Sequence, residues 1–93
     1  MKVVGLMSGT SGDGVDAALV EIARSRKGLD IQIVAFHALP YPRSLQQRIL
    51  AASASGAVAE ICHLNALLGE WFSNAALGVI RTAGLRPKDI DLL

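Results

Sequence analysis

Two prolines flanking Tyr41, at positions 40 and 42, divide this 93-residue chain into halves with different periodicities. Proline lacks the donor that a strand ladder or a helix interior needs, and it pushes the preceding residue out of the helical region. Upstream of Leu39-Pro40-Tyr41-Pro42 the apolar residues come in short runs, Val3 to Met7, Val15 to Ile22 and Ile31 to Ala38, each bounded by small or polar residues. Downstream they recur every three or four positions: Leu45, Ile49 and Leu50 within Arg43 to Ser53, then Ile61, Leu64, Leu68, Phe72, Ala75 and Val79 after a break at Ser55-Gly56. The first half therefore reads as three strands with short links, an antiparallel meander, and the second as two helices whose stripe faces a sheet. Gly84 is a helix stop, and Pro87 keeps the helix from resuming. Asp89-Ile90-Asp91-Leu92-Leu93 reads as the start of a fourth strand, so the expected class is α/β with order βββααβ.

The second strand carries Val15, Ala17 and Leu19 on one side and Ala18, Val20 and Ile22 on the other, a pattern that predicts cover on both faces. In the third, simple alternation puts Ile31, Ile33 and Ala35 on one face and Val34, Phe36 and Ala38 on the other. Such strands fit a composition of 52% hydrophobic and 18% charged residues, apolar for a chain of one domain at most. Disorder is excluded on those figures, and the single cysteine, Cys62, excludes a disulfide-stapled module. No membrane segment is expected: Ala57 to Ala83 is interrupted by Glu60, His63, Asn65, Glu70, Asn74 and Arg81, whereas a spanning helix needs roughly 20 predominantly apolar residues. The amino-terminal apolar run is too short for a secretory signal of about 7–15 apolar residues, so the expected location is cytoplasmic. Nine basic residues against eight acidic ones, with no basic cluster beyond Arg24, Arg26 and Lys27, leave no footprint for nucleic acid.

One segment carries a chemical signature, Gly9-Thr10-Ser11-Gly12-Asp13-Gly14, placed between the first two strands. It is longer and more polar than a hairpin needs. Glycines supply positive φ, so successive N–H groups can face one concavity, and the hydroxyls of Thr10 and Ser11 add donors; together they would cradle phosphate. Asp13 would repel a phosphate by about 1 kcal/mol at 4 Å in water, and by more in a protected site. A Mg²⁺ ion removes the conflict, since it binds one or two carboxylates, directly or through water, together with phosphate oxygens. The loop thus points to a metal nucleotide. A P-loop is excluded because no Gly-Lys-Ser/Thr occurs, a dinucleotide fingerprint by glycine spacing, and an EF-hand by the missing closing glutamate. Composition alone leaves open a Gly/Ser-rich hairpin turn that binds nothing.

Gly5-Leu6-Met7-Ser8-Gly9-Thr10-Ser11, followed by Asp13-Gly14-Val15-Asp16-Ala17-Ala18-Leu19-Val20, resembles the opening of the anhydro-N-acetylmuramic acid kinases. Their motif is Met-Ser-Gly-Thr-Ser, one residue that is commonly leucine, then Asp-Gly-Val-Asp. The resemblance extends over the whole chain, through the third strand, the Pro-Tyr-Pro junction and two helices. It implies a ribonuclease-H-like half-lobe of the actin, sugar-kinase and chaperone ATPase superfamily, here the amino-terminal, ATP-phosphate-binding segment, residues 1–93, of a larger two-lobed kinase. By the same likeness, the full-length protein would be a homodimer that phosphorylates 1,6-anhydro-N-acetylmuramic acid with ATP while water opens the anhydro ring. The products would be N-acetylmuramic acid 6-phosphate and ADP, in peptidoglycan recycling.

The resemblance makes Gly9, Thr10, Ser11, Gly12, Asp13, Gly14, Val15 and Asp16 the ATP loop. Gly9, Thr10, Ser11 and Gly14 would contact phosphate, Asp13 would lie on the Mg²⁺ side, and Asp16 would either join it or cap the turn. Gly12 departs from the leucine of the pattern, which removes apolar packing and adds conformational entropy to the loop. The family's His-Gly-Gln-Thr sugar-binding segment and its catalytic aspartate do not occur in these 93 residues, so no catalytic base is assigned and the segment alone is expected to be inactive. Two rivals remain at this stage: another ATPase or acetate kinase of the superfamily, and a non-enzymatic interaction module. Among other residues, His37, Cys62 and His63 show no metal-ligand spacing and read as structural, with Cys62 buried. Trp71 and Phe72 read as core, Asp89 and Asp91 as a solvated strand start, and the apolar excess as a seam for the rest of an enzyme or another copy.

Overall fold

The computed structural model describes residues 1–9 and 11–93. Its elements are β1 (Lys2–Met7), β2 (Gly14–Ser25), β3 (Gly28–Pro40), α1 (Arg43–Ser55) and α2 (Val58–Thr82), followed by a single 3₁₀ turn at Pro87–Asp89. The three strands form one antiparallel sheet in the order β1-β2-β3, and the expected α/β succession of meander then helices is the one observed. The strand expected from Asp89 is not formed, because Asp89 closes the 3₁₀ turn; a single isolated bridge follows it, in which Leu92 pairs in parallel with Val3 and the Val4 amide donates to the Leu92 carbonyl at 2.9 Å. Asp91, expected to be merely solvated, accepts a 2.7 Å hydrogen bond from the Lys2 amide and so caps the start of β1.

Helix α2 lies across all three strands, and its buried residues Leu64, Ala75, Ala76, Val79 and Ile80 meet Val4, Val15, Ala17 and Leu19 of the sheet. Close approach needs small residues at the crossing: a Cβ on Gly78 would stand 2.7 Å from ring atoms of His37, which packs its half-buried imidazole against the helix. The stripe is followed from Leu64 onward, while Ile61, one turn earlier, is exposed. Cys62 is also exposed rather than buried, because it lies a quarter-turn off the stripe, on the side of α2 that meets solvent. The helix ends as expected at Gly84, whose φ of 73° lets the Leu85 amide reach the Ile80 carbonyl and its own amide reach Arg81, the paired bonds of a Schellman stop.

Two sequence expectations change in the sheet. Cover of β2 on both faces is met on one: Val15, Ala17 and Leu19 are buried under the helices, while Ala18, Val20 and Ile22 are half-buried on an open face. The alternation of β3 is also interrupted. Leu19 pairs with Ala35 but Val20 pairs with Ile33, so Val34 is an extra residue at a bulge. From there on the strand turns over. Ile33 and Ile31 lie with Phe36 and Ala38 on the open face, opposite Ala35, instead of sharing Ala35's face.

Between the helices, Arg48 donates through Nε to Glu60 Oε1 at 2.8 Å, and its Nη2 lies 3.2 Å from His63 Nδ1. A guanidinium can only donate, so in this contact Nδ1 of His63 is the acceptor. The Arg48 hydrogen bond holds the Glu60 carboxyl below its ordinary value of 4.5. A depressed carboxylate contributes stability that is fully present above the unfolded pKa and lost as pH falls through the folded one. The melting temperature of Glu60→Gln should therefore lie below that of wild type at pH 7, and the gap should close below about pH 4.5. An equal gap at pH 3 and pH 7 would contradict the ion pair, and added salt should shrink it at neutral pH.

The start of β2 is fixed more tightly. A Cβ on Gly14 would stand 2.5 Å from the Leu39 carbonyl oxygen and 2.7 Å from Pro40 Cα, both backbone atoms that cannot swing away. Gly14→Ala should lower the unfolding free energy by about 1–3 kcal/mol in urea titrations. Gly5→Ala serves as the control, with nothing within 4 Å of the added methyl, and should stay within about 0.5 kcal/mol of wild type.

Candidate functional site

Where β1 runs out and β2 begins, the chain passes over the end of β3 and encloses a cleft of about 380 Å³. Six of the eight residues expected in the loop line it: Gly9, Ser11, Asp13, Gly14, Val15 and Asp16, facing Ala38, Leu39 and Pro40 across the gap, with Met7 at its edge. Val15 is fully buried in the core, so it forms the floor of the cleft and exposes no side chain to it. Thr10 lies outside the described residues.

Gly12 lines the back of the loop and not the cleft. It is buried with φ of 65°, and a Cβ there would touch Ile49 Cγ2 at 3.7 Å, Leu50 Cδ2 at 3.9 Å and Gln46 Cγ at 4.0 Å, all on α1. Its amide donates to the Gly9 carbonyl at 3.1 Å, a backbone bond of turn type. That N–H is committed to the turn, so a phosphate would have to be met by other donors of the loop.

Three contacts from the helical half hold the loop down. The Tyr41 amide donates to the Asp13 carbonyl at 2.8 Å, and its hydroxyl donates to Ser8 Oγ at 3.0 Å. The Tyr41 ring is 7% exposed and meets Trp71 of α2 edge-to-face, with centroids 5.7 Å apart at 89°. Gln46 of α1 supplies the third: its Nε2 donates to Asp13 Oδ1 at 2.9 Å and to the Ser11 carbonyl at 3.3 Å. Neither Tyr41 nor Gln46 was singled out by sequence reasoning. For Gln46 a faint signal exists, since it shares one face of α1 with Ile49 and Leu50, three and four positions on, and that face carries the loop.

Two exposed carboxylates, Asp13 and Asp16, thus stand in one cleft with a serine hydroxyl and a backbone stripped of side chains at positions 9 and 14. Among the described residues no group of three His, Cys, Asp or Glu side chains could hold a metal ion unaided. The donor set nevertheless suits Mg²⁺, which takes one or two carboxylates from a protein and completes its octahedron with phosphate oxygens and water. What the arrangement can do is receive an anion through a cation held by carboxylate.

Comparison with known proteins gives this geometry a family. The family model described as anhydro-N-acetylmuramic acid kinase matches residues 1–93. The anhydro-N-acetylmuramic acid kinase of Caldanaerobacter subterraneus subsp. tengcongensis is 50% identical over 98% of this chain and 24% of its own length. Those of Salinibacter ruber and Synechococcus elongatus are 41% identical over 98% of the chain and 40% identical over 90%, with 23% of each relative covered. The chain therefore spans about a quarter of the length of these relatives. A match that takes in the glycine loop, the sheet beneath it and both helices that brace it places this chain in the anhydro-N-acetylmuramic acid kinase family.

Proposed function

We propose that this segment is the ATP-phosphate-binding part of a kinase acting on 1,6-anhydro-N-acetylmuramic acid. The observation that carries the reading is the cleft itself, in which Gly9, Ser11, Gly14, Asp13 and Asp16 converge at the joint of two strands. Small residues there let a polyphosphate approach the main chain, and the carboxylates would hold Mg²⁺, which would neutralise charge on the phosphates. In the full-length protein, ATP gives its γ-phosphoryl to the sugar O6 while water adds at the anomeric carbon as the anhydro bond breaks. The products are N-acetylmuramic acid 6-phosphate and ADP, with the water's proton leaving to a base outside these residues.

Within that reaction the residues of this segment bind and orient. Tyr41 and Gln46 hold the loop through hydrogen bonds at Ser8, Ser11 and Asp13, which would keep Ser11 and Asp13 in place for a ligand. Phosphoryl transfer depends on such positioning, because there is little covalent chemistry for the protein to perform. The sugar site and catalytic base belong to chain outside this segment, so residues 1–93 alone should be inactive. Among the described residues no helix is long and apolar enough to cross a membrane. The reading includes a cytoplasmic location, a homodimer of the full-length protein and no nucleic-acid partner.

In a coupled assay the full-length protein should release ADP only when the anhydromuramic sugar is present. Asp13→Ala should lower kcat/KM for Mg·ATP by about 10²-fold or more, in line with loss of a group that stabilises transferring phosphate. ADP release independent of the sugar, or dependent on acetate instead, would replace this reading with another ATPase of the superfamily. Amide shifts confined to Gly9 to Gly14 on adding Mg·ATP are expected, and their absence would favour an interaction module.

A further inference from the structure

Resting on the nucleotide-site reading above, we infer that Gln46 is a positioning residue for the cation side of the loop: its carboxamide orients Asp13 without cancelling the charge that Asp13 would bring to Mg²⁺. Gln46 sits on the first helix, 33 residues from Asp13 in sequence, and is not among the residues that line the cleft. It acts from behind. One nitrogen, Nε2, donates both to Asp13 Oδ1 at 2.9 Å and to the Ser11 carbonyl at 3.3 Å. Both partners are acceptors, so the amide can face them only with its nitrogen, and its orientation is fixed by the contacts.

The chemistry of the donor matters as much as its place. A carboxylate has two oxygens, and this bond engages Oδ1 while leaving Oδ2 outside the contact. An amide to carboxylate bond is charge-assisted, strong enough to select one rotamer of an exposed aspartate, yet the donor is neutral and the pair keeps its full negative charge. Lysine or arginine at the same position would also anchor the loop, but it would set a positive charge beside the place where a divalent cation has to bind. The second bond, to the Ser11 carbonyl, ties the turn before Asp13 to the same nitrogen. Gly12 makes that tie necessary, since it provides no side chain of its own between the two anchored residues.

The test uses the full-length protein that carries this segment and titrates ADP calorimetrically in two arms, one with excess Mg²⁺ and one with EDTA. Gln46→Ala should weaken ADP binding about three- to tenfold in the Mg²⁺ arm only, with the EDTA arm and the melting temperature unchanged. Gln46→Lys should keep the melting temperature of wild type and still lose the Mg²⁺ advantage. In an Asp13→Ala background, Gln46→Ala should cost no further Mg²⁺ advantage, because that part of its effect passes through Asp13. Equal weakening in both arms, or a Gln46→Lys protein indistinguishable from wild type, would reduce Gln46 to a tether and overturn the inference alone. An unchanged Mg²⁺ advantage in Gln46→Ala, with that advantage lost in Asp13→Ala, would do the same. If Asp13→Ala keeps the full Mg²⁺ advantage, or wild type binds ADP in neither arm, the nucleotide-site reading fails and the inference falls with it.

Discussion

Between Gly14 and Pro40 two strands approach until no Cβ fits, with the Leu39 carbonyl oxygen 2.5 Å from where one would stand, and the remaining architecture takes its position from that contact. The approach fixes one end of the hairpin, Gly14 opposite Pro40, while the other end, Ser25 opposite Gly28, lies beyond the bulge in a shifted register and is set by its own turn. It also places Tyr41 directly under the loop, where its amide takes the Asp13 carbonyl. From Tyr41 the chain can only enter the first helix, because Pro42 presents its carbonyl to the amides of Leu45 and Gln46. One close approach therefore lies where the end of the strand pairing, the entry to the helices and the anchoring of the loop meet. The glycine of the sequence motif has a packing role beside any ligand role.

The element order and the helix stop were legible in the sequence because each rests on local chemistry: prolines at 40 and 42, a 3.6-residue stripe, a left-handed glycine at 84. What was not legible depends on partners distant in sequence. The bulge at Val34 arises from how the third strand meets the second, and nothing in Ile31 to Ala38 announces it, so alternation assigned Ile31 and Ile33 to the wrong face. Cys62 followed a composition rule, that cysteines are usually buried, against its own angular position beside the stripe. The loop could be read as a site from its residue types, and the cleft gathers six of the eight residues named. That Gly12 would turn away from the others, and that Gln46 would reach them, are tertiary facts.

The bulge bears on the composition. Because of it, Ile31 and Ile33 join Phe36 on the open face of the sheet at 61%, 73% and 59% exposure, next to Val20 and Ile22 of the neighbouring strand. Part of the apolar excess of the sequence lies on this face, and the rest is spread over the loop edge, the helices and the carboxyl-terminal residues, at Met7, Leu50, Val58, Ile61 and Leu93. Helix α2 buries the other face with small residues, Ala75 and Ala76, that let it lie close, so the core is tight where it exists. A chain with 52% hydrophobic residues thus combines a dozen buried apolar side chains among the described residues with an open sheet face that carries several large exposed ones.

Gly12 shows how the loop is held when apolar anchoring is absent. The family motif commonly has leucine there, and in this backbone a leucine side chain would extend toward Ile49 and toward Leu50, which is 46% exposed. Burying a leucine contributes about 1.5–3 kcal/mol, whereas holding it at a φ of 65° costs roughly 1–2 kcal/mol, so the two nearly offset. Glycine at this position need not leave the loop weaker. It moves the restraint from side-chain packing to hydrogen bonds, from Tyr41 to Ser8 and to the Asp13 carbonyl, and from Gln46 to Ser11 and the Asp13 carboxylate. Packing would hold the loop without regard to charge. Hydrogen bonds that end on the carboxylate make the order of the loop and the orientation of its charge the same property.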